Sequence, residues 1–299
     1  MATGLSCICG TCWQPCPVLE LETFKARTFR IRRLRLTSRR MNRLLTRAGA
    51  IVDRIKINVL TRETRGGRAV WIKRRRTGSR PVMVLANRFF DLVGNPVRTL
   101  QDAGVWQRRE VACFLHLHGE MFRASASGER AIEADELPGL SLSHHLASGT
   151  LTLAMIAAAG RELCRAHDLR CDDFGGAWSH GDPHSGNFIY DADDDRARLI
   201  DFEVMHHASL SADDRHADDL LVFLQDIVGR VRADEWLPFA NSFLEAYARP
   251  EIIALLACRL VVPRGLARLW WSVRTTYLSR RELARRIEEL RAALPSLTA

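Results

Sequence analysis

Apolar residues recur along this chain with two different periods, and the switch between them divides it. The runs Arg54–Leu60 and Ala69–Lys73 read as strands, joined through Arg65-Gly66-Gly67-Arg68, whose glycines permit a tight turn. A third strand-like run, Arg130–Leu137, ends at Leu137-Pro138-Gly139, a natural linker. Between them, residues 105–115 read as a helix containing Glu110. Beyond residue 140 the period becomes helical, with helices expected at Leu151–His167, Asp218–Val231, Trp236–Ala248 and Ile252–Leu260. At the C-terminus Trp270, Val273, Tyr277, Leu283, Ile287 and Leu290 form a stripe expected to close the larger unit as one helix. Phe188–Tyr190 and Arg198–Ile200 flank the acidic turn Asp191–Asp195, which is a hairpin signal. Ahead of all this, residues 1–24 read as an irregular tail. Leu34, Met41, Leu45 and Ala48 make residues 25–50 a basic amphipathic helix.

Composition narrows this picture. The chain has 299 residues, 47% of them apolar, which is enough for one large domain or two lobes. No run of about 18 apolar residues occurs, so no spanning helix is expected. The N-terminus lacks the basic start and apolar stretch of a secretory signal, which places the protein in the cytoplasm by expectation. The formal charge of +9 is uneven. Residues 25–80 hold 20 basic and two acidic residues, whereas the remainder holds 24 basic and 33 acidic. That segment could attract an anionic membrane, or its helix could pack on the next domain with a solvated cationic face. Nucleic acid is the less favoured partner, because Phe24 and Phe29 flank the helix without a repeated stacking pattern.

Of eight cysteines, Cys7, Cys9, Cys12 and Cys16 crowd the tail. Four thiolates could bind Zn²⁺, but the segment is terminal and has no partner pair downstream, so an incidental Cys-rich tail is the favoured reading.

The candidate chemistry lies at Ser179-His180-Gly181-Asp182-Pro183-His184-Ser185-Gly186-Asn187 and, fourteen residues later, Asp201-Phe202-Glu203. An Asp and an Asn five apart, then an Asp before Phe, suit phosphoryl transfer: the first carboxylate orients the acceptor hydroxyl, and the other two groups hold Mg²⁺ against nucleotide phosphates. A hairpin between Asn187 and Asp201 would bring both to one end of its ribbon. Only three of the 44 basic residues are lysines, and one of them, Lys73, ends the run Ala69-Val70-Trp71-Ile72-Lys73. Such a lysine can contact the α- and β-phosphates if a helix-borne carboxylate holds it, and Glu110 is the candidate. Backbone groups near Asp135 and Glu136 are the expected adenine contacts.

These motifs, with Glu136-Leu137-Pro138-Gly139-Leu140-Ser141-Leu142, resemble the protein-kinase-like superfamily over roughly residues 50–260. The resemblance is closest to its bacterial lipopolysaccharide-kinase branch (Kdo and heptose kinases), with aminoglycoside phosphotransferases as near relatives. It implies an α+β, two-lobed protein-kinase-like fold, with a small β-rich lobe at 51–137, a larger mainly helical lobe at 138–299, and ATP with Mg²⁺ in the cleft. It places the catalytic base at Asp182, the phosphate-binding lysine at Lys73, its partner at Glu110 and the metal ligands at Asn187 and Asp201. It also makes His180 a structural member of the loop and Asp219 the buried carboxylate that braces it. The implied activity is ATP-dependent phosphorylation of a sugar or glycolipid hydroxyl. The alternatives are a protein Ser/Thr kinase, an aminoglycoside-type phosphotransferase, or a non-catalytic kinase-like scaffold that binds membrane or nucleic acid.

Three departures stand out: no Gly-x-Gly-x-x-Gly loop precedes Lys73, Asp-Phe-Glu replaces Asp-Phe-Gly, and no Ala-Pro-Glu follows. Gly66-Gly67 would have to cover the phosphates, or they are less covered. The 17 residues between Asp201 and Asp219 leave little chain to dock a peptide.

Overall fold

A computed structural model describes residues 57–171, 176–275 and 278–298. The expected helix at 25–50 and the four tail cysteines lie outside the described residues. The architecture is α+β with two lobes. In the first, β1 (Asn58–Arg65), β2 (Arg68–Arg75), β5 (Ala131–Asp135) and β4 (Ala124–Ala126) form an antiparallel sheet in the order β1-β2-β5-β4. Arg65 pairs with Arg68, leaving Gly66 and Gly67 alone in the turn at φ +56° and +79°. Two successive left-handed residues favour glycine, which explains the pair. Across this sheet α2 (Ala103–His118) lays one stripe, Trp106, Glu110, Cys113, Phe114 and Leu117, all buried. The Asp102 carboxylate caps the helix by accepting from the Val105 amide at 2.8 Å.

Two elements lie between β2 and α2: α1 (Ser79–Val93) and β3 (Val97–Thr99). Gly78 and Gly94, both left-handed, bracket α1. The expectations above include neither element.

The larger lobe contains α3 (Leu142–Ser148), α4 (Leu153–His167), α5 (Ala212–Arg230), α6 (Trp236–Tyr247) and α7 (Pro250–Arg259). Its core includes Phe188, Phe223 and Phe243, with the last two rings stacked at 3.9 Å. The anticipated single closing helix is corrected to two, α8 (Ala267–Arg274) and α9 (Arg280–Thr298). The apolar stripe serves two different surfaces. Trp270 of α8 meets Phe90 of α1 edge-on at 5.2 Å, while Leu283, Ile287, Leu290 and Leu294 of α9 are buried in the core.

The lobes meet at Glu136–Gly139. Gly139 has φ +100°, and a Cβ there would lie 1.8 Å from the Tyr190 carbonyl oxygen, so only glycine allows β6 (Leu140–Ser141) to pair with β9 (Phe188–Asp191). A second link is β11 (Val204–His206), which follows Asp201-Phe202-Glu203 and pairs with β3. That link fixes the Asp-Phe-Glu segment against the first lobe.

Candidate active site

Strand register explains why one cavity collects the motif residues. On β2, Trp71 and Lys73 share a face; Lys73 sits between Leu60 of β1 and Ile132 of β5, and Trp71 is opposite Ala134. These five residues line one wall of a cavity of about 410 Å³, and Leu140, Ile189 and Ile200 lie among its other lining residues. The cavity is mostly apolar; Lys73, Glu110 and Asp201 form a charged cluster in its wall, and Asp135, Glu136, Ser141 and His144 also line it. Those dimensions and that lining suit a small organic ligand.

Lys73 is buried, and its ammonium donates to Glu110 Oε1 at 2.8 Å and to Asp201 Oδ1 at 2.6 Å, with Glu203 Oε2 at 3.7 Å. Burial alone would lower the pKa of this ammonium, but Asp201, Glu110 and Glu203 more than offset that and hold it charged. Glu110 uses its other oxygen to accept from the Phe202 amide at 3.1 Å. One carboxylate therefore ties β2 to the chain immediately after Asp201. Asp201 has φ +70°, a left-handed conformation that costs a non-glycine residue free energy and persists only where neighbours hold it. Here β10 (Arg196–Leu199) precedes it and β11 follows it, paired to β9 and β3 respectively.

Glu203 occupies the position where the resembled motif has glycine. The left-handed residue is Asp201, so no glycine is required two positions later. Burial, then the Asp201 charge, pushes the Glu203 carboxyl up to about 7. The cluster thus holds more carboxylates than its one ammonium can neutralise.

The loop Ser179–Asn187 is braced from below. Asp219, fully buried on α5, accepts from the amides of His180 at 2.8 Å and Gly181 at 2.7 Å and from His167 at 3.0 Å. Burial alone would raise this carboxyl, but the surrounding histidines, His206 first, pull it well below the usual range. The Asp182 amide donates to His180 Nδ1 at 3.2 Å, so His180 carries its proton on Nε2 and gives it to the Ile200 carbonyl at 3.0 Å. Burial lowers the His180 pKa and keeps the ring neutral. His180 thereby connects the residue before Asp201 to the backbone of Asp182.

Asn187 Nδ2 donates to the Asp182 carbonyl at 2.9 Å, leaving the amide oxygen as its ligating atom. The Ile200 amide donates to the Asn187 carbonyl at 3.0 Å, so the two ribbon ends coincide as the hairpin argument expects. Among the described residues no group of three His, Cys, Asp or Glu is arranged to hold a metal ion by itself. An Asn and an Asp fit an ion that takes its remaining ligands from phosphates and water.

Two site residues, Arg274 and Glu203, carry no signal of a site role in the sequence. Arg274 of α8 is ion-paired to Asp182 and lies over the Trp270 ring at 4.7 Å. Burial would raise the Asp182 carboxyl, but the Arg274 guanidinium outweighs it and holds the group below its ordinary range. Nothing distinguishes Arg274 from the other arginines of so arginine-rich a chain. Glu203 was noted only as a missing glycine.

Two expectations are narrowed: the adenine contacts lose two amides, and of the two readings of the Gly66-Gly67 turn the one with less-covered phosphates stands. The Asp135 amide donates to Arg123 O at 2.8 Å and the Glu136 amide to Ala69 O at 3.0 Å, so neither is available to adenine. The Glu136 carboxylate is likewise engaged by Arg62 and Trp71. Nor do Gly66 and Gly67 line the cavity. Five residues separate Leu60 from Arg65, roughly 17 Å of extended strand, so the turn lies too far along to cover phosphates at Lys73.

No protein-family model matches the sequence, and no curated protein matches it. Among solved structures, the chain is similar to Rv3197 from Mycobacterium tuberculosis, solved in complex with erythromycin. The identity is 18% and the TM-score 0.35, over 62% of this chain and 51% of that one. This chain thus matches about half the length of that protein, and function has to be argued from the site.

Proposed function

We propose that the protein is an ATP- and Mg²⁺-dependent phosphotransferase that phosphorylates a hydroxyl of a sugar or glycolipid, in the manner of the lipopolysaccharide kinases its motifs resemble. The observation that carries this reading is the buried Lys73 ammonium, held between Glu110 and Asp201 in the wall of a mostly apolar cavity. The adenine ring would enter among Ile132, Ala134, Leu137, Ile189 and Ile200, with Leu137 supplying the hinge amide. Lys73 would hold the phosphates at that charged cluster. Asn187 and Asp201 would hold Mg²⁺, which with ATP supplies the transferable phosphoryl group and its charge neutralisation. Asp182, kept ionised by Arg274, would orient the acceptor hydroxyl and take its proton.

A small acceptor is favoured over a protein. β11 is paired as far as His206 and α5 begins at Ala212, so only residues 207–211 lie between them. That is too short for a segment that docks an extended peptide. A non-catalytic scaffold would have no chemical need for Lys73, Asp182, Asn187 and Asp201 together.

Residues 25–80 are proposed to draw the enzyme to an anionic membrane. Arg62, Arg65 and Arg68 already pair with Glu136, Glu133 and Asp135, so the attraction would come from Arg74, Arg76, Arg80 and residues before 57. Among the described residues no helix is long and apolar enough to cross a membrane. The reading is tested by incubation with Mg-ATP and a panel of sugar and glycolipid acceptors, followed by mass spectrometry. A phosphate adduct formed by the wild type and not by Asp182→Asn is expected. Transfer to no acceptor would contradict the phosphotransferase reading, and equal transfer by the variant would remove Asp182 from its role.

A further inference from the structure

A second cavity, of about 420 Å³, opens where β2 ends against the beginnings of α1 and α2. It shares no lining residue with the cavity beside Lys73. We propose that it binds a phosphate-bearing anion. Four arginines line it, Arg75, Arg76, Arg80 and Arg130, against one acidic residue, Asp102; Arg75 also feels the charges of Glu203, Glu110 and Asp201 behind it. That carboxylate is already committed to capping α2 through the Val105 amide, and it is the sole acidic residue in the lining beside Arg76, Arg80 and Arg130.

Arg75 is the built part of the site. It is 4% exposed, donates to the Leu100 carbonyl at 2.6 Å and lies flat over the Trp106 ring at 4.3 Å. Its Nε is buried and has no acceptor. A buried guanidinium with an unsatisfied N–H is costly to maintain unless something accepts from it. An anion in the cavity would do so. The walls are fixed by backbone bonds: the Arg75 amide donates to Arg130 O at 2.8 Å and the Arg76 amide to Ile57 O at 2.9 Å. Arg76, Arg80 and Arg130 are exposed and Arg75 is buried, and guanidinium groups donate in pairs to phosphate oxygens. A phosphate monoester fits this arrangement whether it is free in solution or forms a lipid headgroup.

The two cavities share no lining residue, and the site variant changes only Arg80 and Arg130, so failure of this site and failure of the phosphotransferase reading are distinguishable. The test is calorimetric titration of inorganic phosphate into nucleotide-free protein at constant ionic strength, with wild type, Arg80→Gln/Arg130→Gln and Arg62→Gln/Arg68→Gln. All four positions are exposed, so the variants should fold, and the last removes the same charge from the β1–β2 hairpin. Saturable binding is expected for wild type and the hairpin variant, weakened about tenfold or more in Arg80→Gln/Arg130→Gln, the equivalent of at least one charge-assisted hydrogen bond. Phosphatidylcholine vesicles with and without phosphatidic acid form the second arm. Binding only to phosphatidic acid vesicles, displaced by free phosphate, assigns the headgroup as ligand; phosphate binding without vesicle binding assigns a soluble one. Absence of saturable binding in both arms, or equal weakening in both variants, overturns the site.

Discussion

Asp219 offers the sharpest quantitative test of how the loop bearing Asp182 is held. Replacing it with Asn preserves shape but exchanges one carboxylate oxygen for an NH₂ group. If the remaining oxygen continues to accept from Gly181, the NH₂ faces the His180 amide and His167 Nε2. His167 can shift its proton to Nδ1, where the Tyr247 hydroxyl at 2.8 Å can accept it. The loss therefore concentrates on the His180 amide, a buried donor left facing another donor. An unsatisfied buried donor costs about 1–3 kcal/mol, and loss of a charged acceptor to Gly181 adds about 1 kcal/mol, so Asp219→Asn should destabilise by about 2–4 kcal/mol. Asp219→Ala, which unpairs all three donors, should cost roughly 4 kcal/mol or more.

Urea denaturation measures both, with Asp218→Asn as the neighbouring control. The pH dependence follows from the sign of the shift. Asp219 is held below its unfolded value, so its stabilisation is fully present above about pH 4 and is lost as pH falls further. The gap between wild type and Asp219→Asn should therefore narrow below about pH 4. A loss under about 1 kcal/mol at pH 7, or a gap independent of pH, would refute the bracing argument.

Two further outcomes follow from the same geometry. Lys73→Met leaves Glu110 buried without its ammonium and should cost about 3–5 kcal/mol, whereas Lys73→Met/Glu110→Gln should cost less than the two single changes together; additive costs in denaturant titrations would mean the pair is not coupled. Arg274→Ala removes the charge that holds Asp182 ionised, so the acid limb of the transferase pH–rate profile should move to higher pH, and an unmoved limb would separate Arg274 from Asp182.

Much of the site was legible because its chemistry is local in sequence. Asp182, Asn187 and Asp201 lie within one loop and hairpin, where strand periodicity alone predicts that the ends meet. Lys73 was legible through its rarity, and Glu110 through its place inside an expected helix. What escaped depends on contacts distant in sequence. Arg274 reaches Asp182 because α8 packs on α1, through Trp270 and Phe90, and on α5. β3 and β11 are three residues each and acquire strand geometry from one another across a wide sequence gap. The split of the C-terminal stripe into α8 and α9 is likewise invisible to periodicity, since both pieces keep helical spacing while serving different surfaces. The hinge expectation stays coarse because pattern reading locates a strand end but does not say which of its N–H groups the neighbouring strands have taken.

The most direct test of the central claim is calorimetric titration of ATP into wild type and Asp201→Asn, each with and without Mg²⁺. The site geometry predicts that ATP binds wild type, that Mg²⁺ strengthens the binding, and that Asp201→Asn loses this strengthening while retaining a folded cavity. Failure of wild type to bind ATP with Mg²⁺ present, or an undiminished Mg²⁺ effect in Asp201→Asn, would contradict it.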